Sequence, residues 1–91
     1  MFYVYVIESL KNGNLYIGYT QDLIKRIKEH NQGLNFFTEK CKPWKCIYYE
    51  ACLSENDAKR REKYLKTTQG SRLLKRRLKE YFYSKRKNLI N

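Results

Sequence analysis

The stretch LYIGYT, residues 15–20, decides how this chain folds. Its aromatic and β-branched residues are typical of a β-strand, and Asn12-Gly13 just before it is the strongest short signal for a hairpin turn. We therefore predict that it pairs with the preceding strand FYVYVIES, residues 2–9. A glycine weakens a strand, and it often marks a place where another group approaches the backbone closely. We therefore expect Gly18 to leave room for such a group.

The rest of the chain predicts three helices and one further strand. Helix-start and helix-stop residues frame the helices, and the strand is rich in aromatic and β-branched residues. The predicted segments are a helix capped by Thr20 and stopped at Gly33, a strand over 44–51, a helix over 55–67 opened by Ser54, a break at 67–71 and a last helix. The order is ββαβαα. This predicts an α+β fold, with a small three-stranded antiparallel sheet flanked by helices.

Length and composition predict one small domain. The 91 residues are 42% hydrophobic and 15% aromatic, which is enough for a compact core. We assign residues 1–83 to the domain and residues 84–91 to a basic, frayed tail. No apolar run approaches the roughly 18 residues of a membrane span, and three cysteines without paired spacing suggest reduced thiols. The protein is therefore expected in the cytoplasm, with no membrane contact.

The charge is concentrated in the last third of the chain. Residues 59–91 carry 13 basic and 2 acidic residues, whereas the two signs cancel in residues 1–58. A solvated surface is the plain interpretation, but a polyanion would neutralise this charge and release counterions. Nucleic acid, DNA more than RNA, is therefore the predicted partner. The predicted contacts are Lys59, Arg60, Lys63, Lys66, Arg72, Lys75, Arg76 and Lys79.

Few residues suggest a particular chemistry. The acids are too scattered for a two-metal site, and no phosphate-binding glycine motif is present. What remains is a set of hairpin tyrosines, Arg26 and His30 on one helix face, and Glu62 within a basic helix. Each could be structural: the tyrosines as packing, His30 as a complement to the helix dipole, and Glu62 as a surface partner of Lys66.

Together these residues resemble the GIY-YIG nuclease signature. The resemblance consists of YVY at 3–5, YIG at 16–18, Arg26 with His30, and A-x-x-x-E at 58–62. It covers nearly the whole chain and is most similar to small stand-alone bacterial members, which are related to the excinuclease C subunit of DNA repair.

The resemblance implies metal-dependent hydrolysis of phosphodiester bonds. Glu62 would be the only protein ligand of Mg²⁺ or Mn²⁺, and Arg26 would bind the scissile phosphate. Tyr5 or Tyr16 would accept a proton from the attacking water, provided that nearby cations lower the tyrosine pKa, and His30 would orient that tyrosine or relay the proton. Gly18 would admit a phosphate or a catalytic side chain.

The chain departs from the family pattern at two points. Tyr19 stands where many relatives have a lysine after YIG. Many relatives also carry a late asparagine, for which no residue after Glu62 is a convincing match, Gln69 being the candidate substitute. Slow turnover or an unusual substrate would follow. Two alternatives therefore stay open: a catalytically weak nucleic-acid-binding module of the same fold, and a small RNA-associated structural protein. A protein partner could supply targeting in any of these cases.

Overall fold

A computed structural model describes the backbone of residues 1–90 and the side chains of residues 1–86. The predicted α+β class and element order are confirmed, with the last helical segment divided in two. The elements are β1 Phe2–Ser9, β2 Leu15–Thr20, α1 Leu23–Asn31, a 3₁₀ turn Glu39–Cys41, β3 Trp44–Cys52, α2 Glu55–Leu65, α3 Thr68–Arg77 and α4 Lys79–Ile90. No helix in this part of the chain is long and apolar enough to cross a membrane.

Strand β1 forms the centre of the antiparallel sheet, whose strand order is β2-β1-β3. Because successive side chains of a strand point to opposite faces, β1 contributes to two hydrophobic clusters. Val4 and Val6 pack with α2 and α3, whereas Tyr5 and Ile7 pack with Trp44 and residues of α1. Tyr5 is thus placed on the α1 face of the sheet.

Short polar side chains cap three helices. Asp22, Ser54 and Thr67 accept hydrogen bonds from the backbone N–H groups near the starts of α1, α2 and α3. The sequence assigned the first cap to Thr20. Instead, Asp22 caps α1, and the Thr20 hydroxyl accepts a hydrogen bond from the Asp22 N–H just before the helix. Gly33 follows α1 with a positive φ of 79°, which suits the residue after a helix end.

The segment over 67–71 is a helix start and not a loop. Thr67 caps α3 directly after α2, so the two helices meet in a tight corner. Gly70 lies in that corner: a Cβ on it would be 2.5 Å from the Leu65 Cα and closer still to the Tyr64 carbonyl oxygen. The sequence pattern assigns Gly70 to a break between helices, but in the structure it allows the backbones of α2 and α3 to approach each other closely.

The last helix differs most from prediction. It is interrupted at Leu78, and α4 then runs from Lys79 to Ile90; Asn91 lies outside the described residues. The division into a domain over 1–83 and a tail over 84–91 stays a prediction. Tyr81 and Lys85 of α4 both donate hydrogen bonds to the buried carboxylate of Glu8 in β1. This tertiary contact attaches α4 to the sheet, and no local pattern could reveal it.

Replacing Gly70 by alanine is expected to destabilise the protein strongly. Alanine normally stabilises a helix by about 1 kcal/mol relative to glycine, but here its methyl group would overlap backbone atoms of α2. We expect a net loss of about 3 kcal/mol, the upper end for overpacking, measured by urea unfolding. Ser71→Ala, at the exposed neighbouring position, is the control. A Gly70→Ala protein as stable as the wild type would contradict the corner geometry.

Candidate active site

The Tyr5 hydroxyl lies beside a gap that Gly18 creates. The two residues are paired across β1 and β2, and a Cβ at position 18 would lie 2.5 Å from the Tyr5 hydroxyl oxygen. Any other residue at position 18 would displace the phenol. The glycine in LYIGYT therefore makes room for the side chain of Tyr5.

His30 and Thr38 extend a hydrogen-bonded chain behind Tyr5. The Tyr5 hydroxyl lies 2.8 Å from His30 Nε2, and His30 Nδ1 lies 2.7 Å from Thr38 Oγ1. His30 is fully buried, with the ring of Tyr16 edge-on at 5.2 Å between centroids. The Trp44 indole N–H donates to the Thr38 carbonyl oxygen at 2.9 Å, which holds the loop in place.

Burial sets the charge states of the hydrogen-bonded Tyr5 and His30 side chains. Burial, and next the negative charge of ionised Tyr16, raise the pKa of Tyr5 above its ordinary value, and nearby Arg26 opposes this only in part. Burial, and next the charge of Arg26, lower the pKa of His30. At neutral pH the phenol is therefore protonated and the imidazole neutral, so we assign Tyr5 as the donor and His30 Nε2 as the acceptor. The sequence argument expected cations to lower the tyrosine pKa; for Tyr5, burial outweighs them.

The charges of Arg26 on α1 and Glu62 on α2 also act on the Tyr5 hydroxyl. Arg26 lowers the pKa of Tyr5 and Glu62 raises it. Arg26 also pairs with Glu29 at 3.1 Å, and its half-exposed side chain lines a shallow groove of about 470 Å³. The structure thus joins Tyr5, His30 and Tyr16 by direct contacts, and it places Arg26 and Glu62 near enough for their charges to act on Tyr5.

Glu62 offers a hard oxygen ligand on its own. Among the described residues, no three His, Cys, Asp or Glu side chains cluster as a metal cage would require. The Glu62 side chain is 19% exposed, and the described hydrogen bond to it, from Lys66 at 3.3 Å, uses Oε2 and leaves Oε1 available. A single carboxylate fits Mg²⁺ or Mn²⁺, which retain waters and bind substrate phosphate.

The predicted nucleic-acid contacts all lie at the surface. The eight exposed side chains are Lys59, Arg60, Lys63, Lys66, Arg72, Lys75, Arg76 and Lys79. Three of them have local contacts: Arg60 pairs with Asp57 at 2.6 Å, Lys59 lies over the Tyr19 ring, and Lys66 pairs with Glu62. Two other cations of this region are used internally, since Arg61 binds Glu50 and Arg77 donates to the Tyr48 hydroxyl.

Sequence reasoning missed Thr38. It lies eight residues after His30 in the loop before β3, where its side chain is completely buried. A threonine in a polar loop gives no periodic signal. Its role follows only from the fold, which returns the loop to the back of the imidazole.

The fully buried His30 predicts a loss of stability in mild acid. Because its pKa is lowered in the folded state, the unfolded chain takes up a proton first as the pH falls below about 6.5. Above that pH the contribution is complete, and it is lost as the pH falls through the lowered folded value. Urea unfolding from about pH 8 to about pH 5 should show this loss in the wild type and not in His30→Gln. Parallel profiles would contradict the prediction.

The fold and this set of side chains define a GIY-YIG-type catalytic domain. Residues 1–75 match the family profile described as the GIY-YIG catalytic domain. The chain belongs to the GIY-YIG family, whose known activity is that of nucleases.

The relatives of this chain are small bacterial proteins of similar length. The UPF0213 protein of Clostridium perfringens is 36% identical over 94 residues, covering 98% of this chain and 100% of the relative. The UPF0213 proteins of Staphylococcus saprophyticus and Bacillus subtilis are 35% and 32% identical, covering 80% and 94% of this chain and 89% and 81% of the relatives. No solved structure matches the chain.

Proposed function

We propose that this protein is a divalent-metal-dependent endonuclease that hydrolyses phosphodiester bonds of DNA in repair, recombination or processing. The observation that supports it best is the Tyr5 hydroxyl, which is hydrogen-bonded to a neutral, buried His30 and lies within the influence of the charges of Arg26 and Glu62. A packing tyrosine needs none of these polar neighbours. A hydrolytic site needs a proton acceptor, a phosphate ligand and a metal ligand at one point.

Tyr5 and His30 would act together on the attacking water. With its raised pKa, Tyr5 alone is a poor base at neutral pH. As the water oxygen bonds to phosphorus and the bond to the leaving oxygen breaks, the water proton would pass to Tyr5 and the Tyr5 proton to His30 Nε2. The negative phosphate favours the imidazolium that forms. Thr38 would accept a hydrogen bond from Nδ1 and keep the ring in the required tautomer.

Arg26 and Glu62 would serve the charged groups of the reaction. The Arg26 fork matches two phosphate oxygens and would stabilise the negative charge that builds in the transition state. Glu62 would hold Mg²⁺ or Mn²⁺ through its carboxylate. The metal would supply Lewis-acid stabilisation of the phosphate and its leaving oxygen. Tyr16, edge-on to His30, is the second tyrosine close enough to help position the water.

The setting of the reaction is proposed from charge and cysteine state. Residues 59–91 carry the whole net charge of +11, which favours a nucleic-acid substrate, and DNA is the proposed one. The residues that would bind the nucleic-acid backbone are Lys59, Arg60 and Lys63 on α2, Lys66 directly after it, and Arg72, Lys75, Arg76 and Lys79. The three cysteines are free thiols, which is compatible with the cytoplasm, and a protein partner could direct the nuclease to its substrate.

A nucleic-acid-binding module with weak catalysis is the second candidate. Two points favour it: Tyr19 departs from the family pattern of a lysine after YIG, and Lys66 pairs with the carboxylate that would hold the metal. Incubating the pure protein with labelled branched, single-stranded and duplex DNA, and with RNA, in Mg²⁺ or Mn²⁺ separates the two. We expect cut DNA. Binding of these substrates without any product would favour the module.

A further inference from the structure

A large open groove lies next to the candidate active site. It has a volume of about 840 Å³ and runs between β2, the end of α2, and helices α3 and α4. The side chains that line it are of two kinds. The apolar ones are Leu15, Ile17, Leu65, Leu74 and Phe82, and the basic ones are Lys66, Lys75, Lys79, Lys85 and Arg86.

One end of the groove reaches the candidate site. Tyr16 and Lys66 both line it. Tyr16 lies against His30, and Lys66 donates to Glu62. A chain molecule that lies in the groove would therefore pass the proposed metal ligand.

The groove favours an anionic occupant. Glu8 is the one acid among the described lining residues, and its buried carboxylate is already paired with Lys85 and Tyr81. Lys66 is paired with Glu62, whereas the described ion pairs leave Lys75, Lys79 and Arg86 to give the groove its positive charge. A volume of this size is within the range of about 300–1,000 Å³ found for sites that enclose small ligands. The occupant should combine negative charge with a flat or apolar surface.

We propose that the groove binds unpaired nucleotides of the strand that is cut, so that the preferred substrate contains a single-stranded segment beside the scissile phosphate. Phosphates would pair with the lysines, while a base would lie on the apolar floor against Phe82. A base inside a duplex is stacked on both faces, so it could reach this floor only after leaving the stack. The inference rests on the proposed function for the identity of the ligand and extends it to the substrate class.

Phe82→Leu tests the base contact. Leucine keeps the apolar volume but removes the aromatic face, and Tyr83→Leu on the same helix, outside the groove, is the matched control. We expect Phe82→Leu to weaken binding of labelled single-stranded DNA about tenfold, measured by fluorescence anisotropy in EDTA, with duplex affinity unchanged. The control should change neither affinity. Equal single-strand affinity for Phe82→Leu and wild type would overturn the proposal.

A pair of double substitutions tests the phosphate contacts. Lys75→Gln with Lys79→Gln removes two charges from the groove, whereas Arg72→Gln with Arg76→Gln removes two from α3 outside it. We expect the lysine pair to weaken single-strand binding more than duplex binding, by about tenfold, and the arginine pair to weaken both equally. Identical behaviour of the two pairs would overturn the proposal.

Other occupants give different results in the same variants. If Phe82→Leu leaves single-strand binding intact but reduces binding to anionic phospholipid vesicles, the groove is a lipid site. If it leaves single-strand binding intact but abolishes self-association in sedimentation, the groove is a contact with a second copy. Either result means that the proposal is wrong. All strand-binding measurements are made without metal. If the variants confirm single-strand binding in the groove but the protein never cuts DNA, the proposed nuclease activity is refuted and the assignment of the groove to single strands still holds.

Discussion

The Glu62→Gln protein is expected to bind DNA in EDTA at least as tightly as the wild type and to cut it at least about a hundredfold more slowly. Glutamine keeps the size of the side chain but removes the charge that would hold the metal. Among the described residues no group of three or more His, Cys, Asp or Glu side chains could hold the metal in its place. Loss of one negative charge from a basic face accounts for equal or tighter binding.

A surface ion pair predicts the opposite outcome for the same variant. If Glu62 only pairs with Lys66, its replacement costs a few tenths of a kcal/mol of stability and no activity. Glu80→Gln is the matched control, because Glu80 is the other acid of residues 59–91 and is exposed on α4. Single-turnover rates, binding curves and melting curves are compared for all three proteins. A fully active, equally stable Glu62→Gln protein would refute the proposed metal site.

The Arg26→Lys protein is expected to lose about a hundredfold in cleavage rate. Lysine keeps the positive charge but cannot reproduce the planar fork that binds two phosphate oxygens. The substitution also alters the ion pair that Arg26 forms with Glu29 at 3.1 Å. The loss should appear in the single-turnover rate and hardly in metal-free binding, because the charge that steers DNA is retained.

Arg77→Lys controls for the chemical change itself. Arg77 is exposed on α3, donates to the Tyr48 hydroxyl and is not among the proposed nucleic-acid contacts, so the same substitution there should leave the cleavage rate unchanged. An Arg26→Lys protein that cuts at the wild-type rate would mean that Arg26 supplies only charge. It would then have no specific role at the scissile phosphate.

Local signals predicted most of the fold. The Asn12-Gly13 turn fixed the hairpin, and the Ser54 cap is present as predicted. The errors lie where tertiary contacts decide: the corner at Gly70, the interruption at Leu78, and the attachment of α4 to Glu8. Sequence patterns describe single elements, whereas these features depend on how two elements meet.

The candidate site was predictable as a set of residues but not as a geometry. Tyr5, Tyr16, Arg26, His30 and Glu62 were singled out through motif spacing. The contact between Gly18 and Tyr5, the bond from Thr38 to His30, and the raised pKa of Tyr5 all follow from burial. Burial depends on the packing of α1 and the loop before β3 against the sheet, which no spacing rule describes.

The central claim is that the candidate site around Tyr5 is a metal-dependent hydrolytic site. A metal-jump experiment tests it most directly. The wild-type protein is first bound to labelled DNA with a single-stranded segment in EDTA, and excess Mg²⁺ is then added. The account predicts an intact strand before the addition and a product that accumulates after it, within one turnover. Cleavage already in EDTA, or a bound strand that stays intact after Mg²⁺ and after Mn²⁺, would contradict it.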